Sequence, residues 1–268
     1  MREATLAHAR RAGQILQKEY EQPCRALPAQ GANQVIAEAD GSLICTVAPG
    51  PRQGPRPRDW REIRLAAAPA LGCTETIYAA TFREVDEVGG RWGRCARRAG
   101  RGLNSQIHAV GDGAEWIRRQ TRQVFGEQGQ FLCDYFHVSE YLAAAAVACR
   151  PKNPEQWRQT QQGRRKRGAL AKVMGELAQH LEPSAVPDEL APVRHGHRYL
   201  HNRTDCLDYP RALRLGLPIG SGMIESGHRH VLQARLKKAG AAWLLDTADK
   251  IASLRVLRAN GQWLSLWN

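Results

Sequence analysis

Two short apolar runs that each close on an Asp-Gly pair constrain this chain more than anything else in it. They are Gln34-Val35-Ile36-Ala37-Glu38-Ala39-Asp40-Gly41 and Gln106-Ile107-His108-Ala109-Val110-Gly111-Asp112-Gly113. Brief runs of Val, Ile and Ala stopped by glycine read as strands, and each delivers a carboxylate to a strand's carboxyl end. For the first run a plainer reading stands beside this one, because Asp-Gly between apolar residues is also a strong hairpin signature. Residues 34–47 are then two apolar runs flanking a turn, with Asp40 ending the first strand and Gly41 making the turn.

A third acid lies far along the chain, in Leu217-Pro218-Ile219-Gly220-Ser221-Gly222-Met223-Ile224-Glu225-Ser226. Pro218 and the two glycines stop any earlier helix, and Ser221 is placed to cap the next one. Met223, Ile224, Val231, Leu232 and Leu236 recur at roughly helical spacing. Glu225 falls in the first turn, where the helix dipole favours a carboxylate, and Arg235, Lys237 and Lys238 suit the other end. By local pattern alone this is an ordinary helix with a surface glutamate. With Asp40 and Asp112 it becomes the third member of a set. Three converging carboxylates repel one another unless cations lie between them, a role that suits hard divalent ions with oxygen ligands.

The remaining elements follow from pattern. Residues 1–21 read as an amphipathic helix ended before Pro23. Residues 48–58, with four prolines and three arginines, read as a solvated loop. Trp60–Leu65 and Thr76–Phe82 read as two further strands antiparallel to the first, 86–101 as a basic helix, and 105–111 as a fourth strand. A helix from Ala114 to Phe125 and a fifth strand, 130–135, complete a right-handed crossover that makes the last two strands parallel. Residues 138–216 are helical in pattern, and a last helix spans 246–260.

Taken in order, Asp40-Gly41, Trp60-Arg61-Glu62-Ile63, Gly111-Asp112-Gly113-Ala114-Glu115-Trp116-Ile117, Asp134-Tyr135-Phe136-His137, Tyr209-Pro210 and Leu217 to Gly222 with Glu225-Ser226 resemble the ISKra-type bacterial insertion-sequence transposases. The likeness runs from about residue 34 to the end. It implies an α/β chain with an RNase H-like five-stranded mixed sheet, flanking helices and an all-α insertion between the second and third acids. The implied parts are a short N-terminal helical remnant and linker (1–33), the first part of the catalytic domain (34–137), the insertion (138–216), and C-terminal helices completing the domain (217–268). Asp40, Asp112 and Glu225 are then the catalytic residues and metal ligands. Two magnesium ions, with manganese as an alternative, would be held with Asp40 bridging both, Asp112 on one and Glu225 on the other.

The implied activity is cleavage and strand transfer of double-stranded DNA, at transposon ends and target, by a homo-oligomer assembled on that DNA. His137, Arg229, Arg235, Lys237 and Lys238 are the expected DNA contacts. Asp134 and His137 also fit a helix cap with a packed histidine. Members of the family carry a longer N-terminal region, so a truncated, inactive remnant that only binds DNA is the alternative. Gly163-Arg164-Arg165-Lys166-Arg167 reads either as a solvated basic turn or as a phosphate-contacting patch, and His195, His197 and His201 as exposed or DNA-facing rather than as zinc ligands.

The charge balance agrees with a polyanionic partner: the formal net charge is +13. The seven cysteines (Cys24, Cys45, Cys73, Cys95, Cys133, Cys149 and Cys206) show no Cys-x-x-Cys pair, which argues against a zinc ribbon or a disulfide framework and for a reducing cytoplasm. No apolar run approaches the roughly 20 residues that cross a bilayer, and the charged N-terminus has no apolar leader pattern, so no membrane partner is expected.

Overall fold

The computed structural model describes residues 2–23, 25–50, 54 and 56–267, the side chain of Arg2 excepted. Cys24 and part of the proline-rich loop lie outside the described residues. The elements are helix α1 (Arg2–Glu21), strands β1 (Gln34–Val47), β2 (Arg58–Ala68) and β3 (Ile77–Thr81), helix α2 (Val85–Arg98), strand β4 (Gln106–Gly111), helix α3 (Glu115–Phe125) and strand β5 (Gly129–Cys133). Helices α4 (Tyr135–Cys149), α5 (Pro154–Lys166), α6 (Leu170–Ala178), α7 (Pro192–His201), α8 (Tyr209–Arg214), α9 (Gly222–Gly227), α10 (Ala234–Leu236) and α11 (Leu245–Ala259) follow. Between α9 and α10 the backbone winds as a π-helix over His228–Gln233.

The strands form one open mixed sheet in the order β3-β2-β1-β4-β5, with helices flanking it, so the chain is of the α/β class. β1 pairs antiparallel with β2, and β2 antiparallel with β3.

One expectation fails here. Asp40 and Gly41 do not make a turn: they lie inside a continuous strand, with Asp40 opposite Leu65 and Gly41 opposite Arg64. The unbroken ladder from Glu38↔Ala67 to Val47↔Arg58 outweighs the local turn preference of Asp-Gly. A Cβ on Gly41 would meet the Glu62 carboxylate, which the partly exposed Glu62 side chain can relieve by moving aside.

The chain divides into two compact units. One comprises residues 1–109, 116–130 and 222–268. Its core gathers Ile44 from β1, Ile63, Leu65 and Ala67 from β2, Ile224, Val231, Leu232 and Leu236 from the α9–α10 stretch, and Ile251, Ala252 and Val256 from α11. The two-residue period of a strand puts Glu38, Asp40 and Ile44 on one face of β1, the face this core covers. α2 packs on β2 and β3, and its buried Trp92 meets Phe125 edge to face at 5.1 Å.

The other unit comprises residues 110–115 and 131–221. Side-chain acceptors start its helices: Asp134 caps α4, Asn153 caps α5, and Asp208 caps α8. The Glu182 carboxylate accepts from the N–H groups of Val193 and Arg194 in the first turn of α7, at 2.9 and 2.8 Å.

Candidate functional site

Asp40 is half-buried on β1. Its Oδ1 accepts the N–H of Gly41 at 2.7 Å, and its Oδ2 lies 3.6 Å from His228 Nε2. His228 opens the π-helix and is 3% exposed, yet neither ring nitrogen makes a well-aligned hydrogen bond. Burial pushes its pKa down to about 4, Lys237 adds to the shift, and a backbone interaction with Asp40 works the other way. The imidazole is therefore neutral at pH 7, next to a carboxylate.

Two residues before Asp40, on the same face of the strand, Glu38 is 1% exposed and its Oε2 accepts the N–H of Ile224 at 2.8 Å. A strand carboxylate thus satisfies one of the orphan N–H groups at the start of α9. This corrects the expected role of Ser221, whose backbone N–H and hydroxyl both donate to Asp134 Oδ2, the former at 2.8 Å. Glu225, one residue beyond Ile224, is exposed. Gly227 allows the close approach that follows: a Cβ there would lie 2.7 Å from a Tyr78 ring carbon and 3.0 Å from Leu65 Cδ2. The strand carrying Asp40 and the helix carrying Glu225 are accordingly joined by a buried hydrogen bond and a tight packing contact.

Asp112 belongs to the other unit. Its Oδ1 accepts the N–H of Ala114 at 2.8 Å, and α7 and the turn after it hold the backbone around it: the Tyr199 hydroxyl donates to the Asp112 carbonyl, and Arg203 Nε to the Gly113 carbonyl at 3.0 Å. Arg203 lies over the Tyr199 ring at 3.9 Å, and Tyr199 stacks on Tyr141 at 4.0 Å. Gly113 has φ +86, and a Cβ there would lie 2.5 Å from Arg203 Nε. The carboxylate consequently leaves the end of β4 on a clamped backbone.

Among the secondary candidates, Asp134 is 2% exposed and committed to structure: Oδ1 accepts from Phe136 and His137 N–H, and Oδ2 from Ser221. His137 is partly exposed, with Nδ1 3.5 Å from Glu140. Arg229, Arg235, Lys237 and Lys238 are exposed, and Arg235 lies 4.8 Å over the Trp243 ring. Among the described residues no group of three or more His, Cys, Asp or Glu is gathered closely enough to hold a metal ion. Among the described residues Cys45, Cys73, Cys95, Cys133, Cys149 and Cys206 form no disulfide, and no helix is long and apolar enough to cross a membrane.

Sequence reading missed Glu38 and His228. An acid two positions before Asp40 was the available sign for Glu38. No pattern marks His228, whose place beside Asp40 comes from the fold.

These features define an α/β protein with acidic side chains on a sheet and on a helix docked against it. The chain belongs to the uncharacterised protein family UPF0236, whose profile matches residues 102–266. Comparison with curated proteins gives no match.

Proposed function

We propose that this protein is a DNA transposase of the insertion-sequence type, cleaving and joining DNA strands with Asp40, Asp112 and Glu225. The observation that carries the reading is the docking of α9 on β1 through Glu38 and Ile224, since it ties the helix bearing Glu225 to the strand bearing Asp40. The sheet order sets β1 next to β4, the strand that Asp112 follows. The motif order along the chain, the mixed sheet and the net charge of +13 add support.

The reaction this assigns is an attack on a phosphodiester. A water oxygen bonds to phosphorus and gives up a proton, the P–O3′ bond breaks, and the 3′-oxygen takes a proton to leave as a hydroxyl; in joining, that hydroxyl loses its proton as its oxygen bonds to a target phosphorus, and the target's own P–O3′ bond breaks to release a second 3′-hydroxyl. Divalent ions are the partner this reading requires, because three carboxylates cannot share a site unneutralised. Magnesium supplies Lewis-acid stabilisation of the attacking and leaving oxygens when bound. The described residues hold no ready cluster of three ligands, so ion binding is itself a prediction. His228 gives Asp40 a dry, neutral flank, and Glu38 fixes the height of α9 on the sheet. Arg229, Arg235, Lys237 and Lys238 supply phosphate contacts.

The test is a nicking and joining assay on duplexes carrying the ends of the element. Magnesium-dependent 3′-hydroxyl ends and strand-transfer products are expected. Duplex binding with no cleavage by the wild-type chain would instead assign a DNA-binding role alone, and nicks without strand transfer would assign a nuclease.

A further inference from the structure

The basic run at the end of α5 contains one residue unlike its neighbours. Arg165 is 2% exposed, and none of its three guanidinium nitrogens makes a well-aligned hydrogen bond, the Tyr209 hydroxyl being the nearest group that favours its charge. Its guanidinium carbon lies 4.6 Å from the ring centroid of Tyr135 and 4.6 Å from that of Tyr209. Lys166 Nζ stands 4.8 Å over the Tyr135 ring, adding a second cation to the same aromatic pair.

Burial holds the Arg165 pKa below its usual value, and the groups that favour its charge are Tyr209, Tyr135 and Cys133, none of them a carboxylate. Both tyrosine hydroxyls are pushed up by burial and stay neutral at pH 7. The Tyr209 hydroxyl is itself buried without a well-aligned partner. Stacking between two rings and the neighbouring Tyr209 hydroxyl return part of the cost of burying a cation, but a guanidinium with no well-aligned hydrogen bond and no carboxylate among the groups that favour its charge remains short of an anion.

A cavity of about 220 Å³ adjoins this group, lined by Arg165, Gly168, Thr204, Asp208 and Tyr209 among others. Asp208 is the one acid there, and its Oδ1 already accepts the N–H of Arg211 at 3.0 Å as the cap of α8. Thr204 and Tyr209 bring hydroxyls that can donate. We propose that this cavity is an oxyanion site whose ligand is a phosphate group, held by the Arg165 guanidinium and the hydroxyls of Tyr209 and Thr204. The fork of a guanidinium matches two oxygens of a tetrahedral anion, and the exposed Lys166 and Arg167 that follow it in sequence favour a dianion over a monoanion, while Arg164 is paired with Glu176 at 3.2 Å. The group can come from free phosphate or from a nucleic-acid backbone. The proposal concerns residues of one compact unit and stands whether or not the chain cleaves DNA.

The test is thermal unfolding of the full chain in rising inorganic phosphate, with chloride at matched ionic strength as control. The wild-type melting temperature is expected to climb with phosphate and not with chloride. Arg165→Met keeps an unbranched stem between the rings and removes the unpaired charge. It is expected to melt at or above the wild-type temperature without phosphate and to show no phosphate-dependent rise. Arg165→Lys and Tyr209→Phe are expected to fold and to need at least about tenfold more phosphate for the same rise. A purely structural, ring-stacked arginine predicts the opposite pattern: Arg165→Met melts well below wild type, and phosphate does no more than chloride for wild type, Arg165→Lys and Tyr209→Phe alike. That result overturns the proposal, as does an undiminished phosphate response in either of the latter two variants. A short duplex added in the same titration identifies the source. Loss of the phosphate response at saturating duplex assigns the site to a backbone phosphate, and its persistence assigns it to the free anion.

Discussion

Gly227 sits where the start of the π-helix passes over β2 and β3, with Tyr78 and Leu65 closer than van der Waals contact to the Cβ it does not have. Gly227→Ala is expected to cost about 1–3 kcal/mol, because both neighbours are held in a packed core. Urea unfolding measures this. Asp249 on α11 is a second case in which surroundings decide. Burial raises its pKa, with Arg91 and Arg83 opposing less strongly. The folded state therefore keeps the proton that the unfolded chain releases near pH 3.8, and stability falls as pH rises from there through the raised value. Asp249→Asn is expected to raise the melting temperature by about 2–4 °C at pH 7 and by nothing near pH 3; an equal gain at both pH values would contradict the assignment. Neither residue stands out in the sequence. Asp40, Asp112 and Glu225 do, because each is tied to glycine or to a helix start. Glu38 and His228 gain their meaning only from register and from the turn of a distant helix.

Among the elements, β1 shows how a local preference is overruled. Asp-Gly favours a turn, but ten consecutive partners on β2 keep the strand extended through it. The helix after Ser221 was legible as a helix, while its winding was not. Apolar positions at 224, 231, 232 and 236 suit both α and π geometry, so the pattern does not distinguish the wider turn at His228–Gln233 from an α-helix. Local pattern points to the nearest hydroxyl, Ser221, as the cap of α9 and cannot reveal an acceptor from a strand nearly two hundred residues earlier. That cap is testable. Glu38→Ala leaves the buried Ile224 N–H without its acceptor and is expected to cost about 1–3 kcal/mol in urea unfolding. Glu38→Gln, which keeps an acceptor, is expected to lose less than half as much. Equal losses for the two would argue that charge, not the acceptor, matters there.

For the molecule as a whole, the α/β class and the five strands were readable because strand runs, glycines and helical periods agree across residues 34–133. The buried state of Arg165 was not, since a run of four basic residues reads as solvated by composition alone. The net charge of +13 bears on the partner. Duplex affinity is expected to fall steeply with salt, and replacing Lys237 and Lys238 by Ala to lower the slope of log K against log salt by about 2. An unchanged slope would remove these residues from the DNA surface.

Asp112 and Glu225 come from different compact units and have to act at one place for the proposed reaction. Single-turnover cleavage and binding of one end-bearing duplex, measured in magnesium for wild type, Asp40→Asn, Asp112→Asn and Glu225→Gln, put this to the test. The expected result is at least about a hundredfold loss of cleavage in each variant, with binding equal to or tighter than wild type because a negative charge has been removed. Cleavage that survives any one of the three substitutions, or that falls only in step with binding, would contradict it.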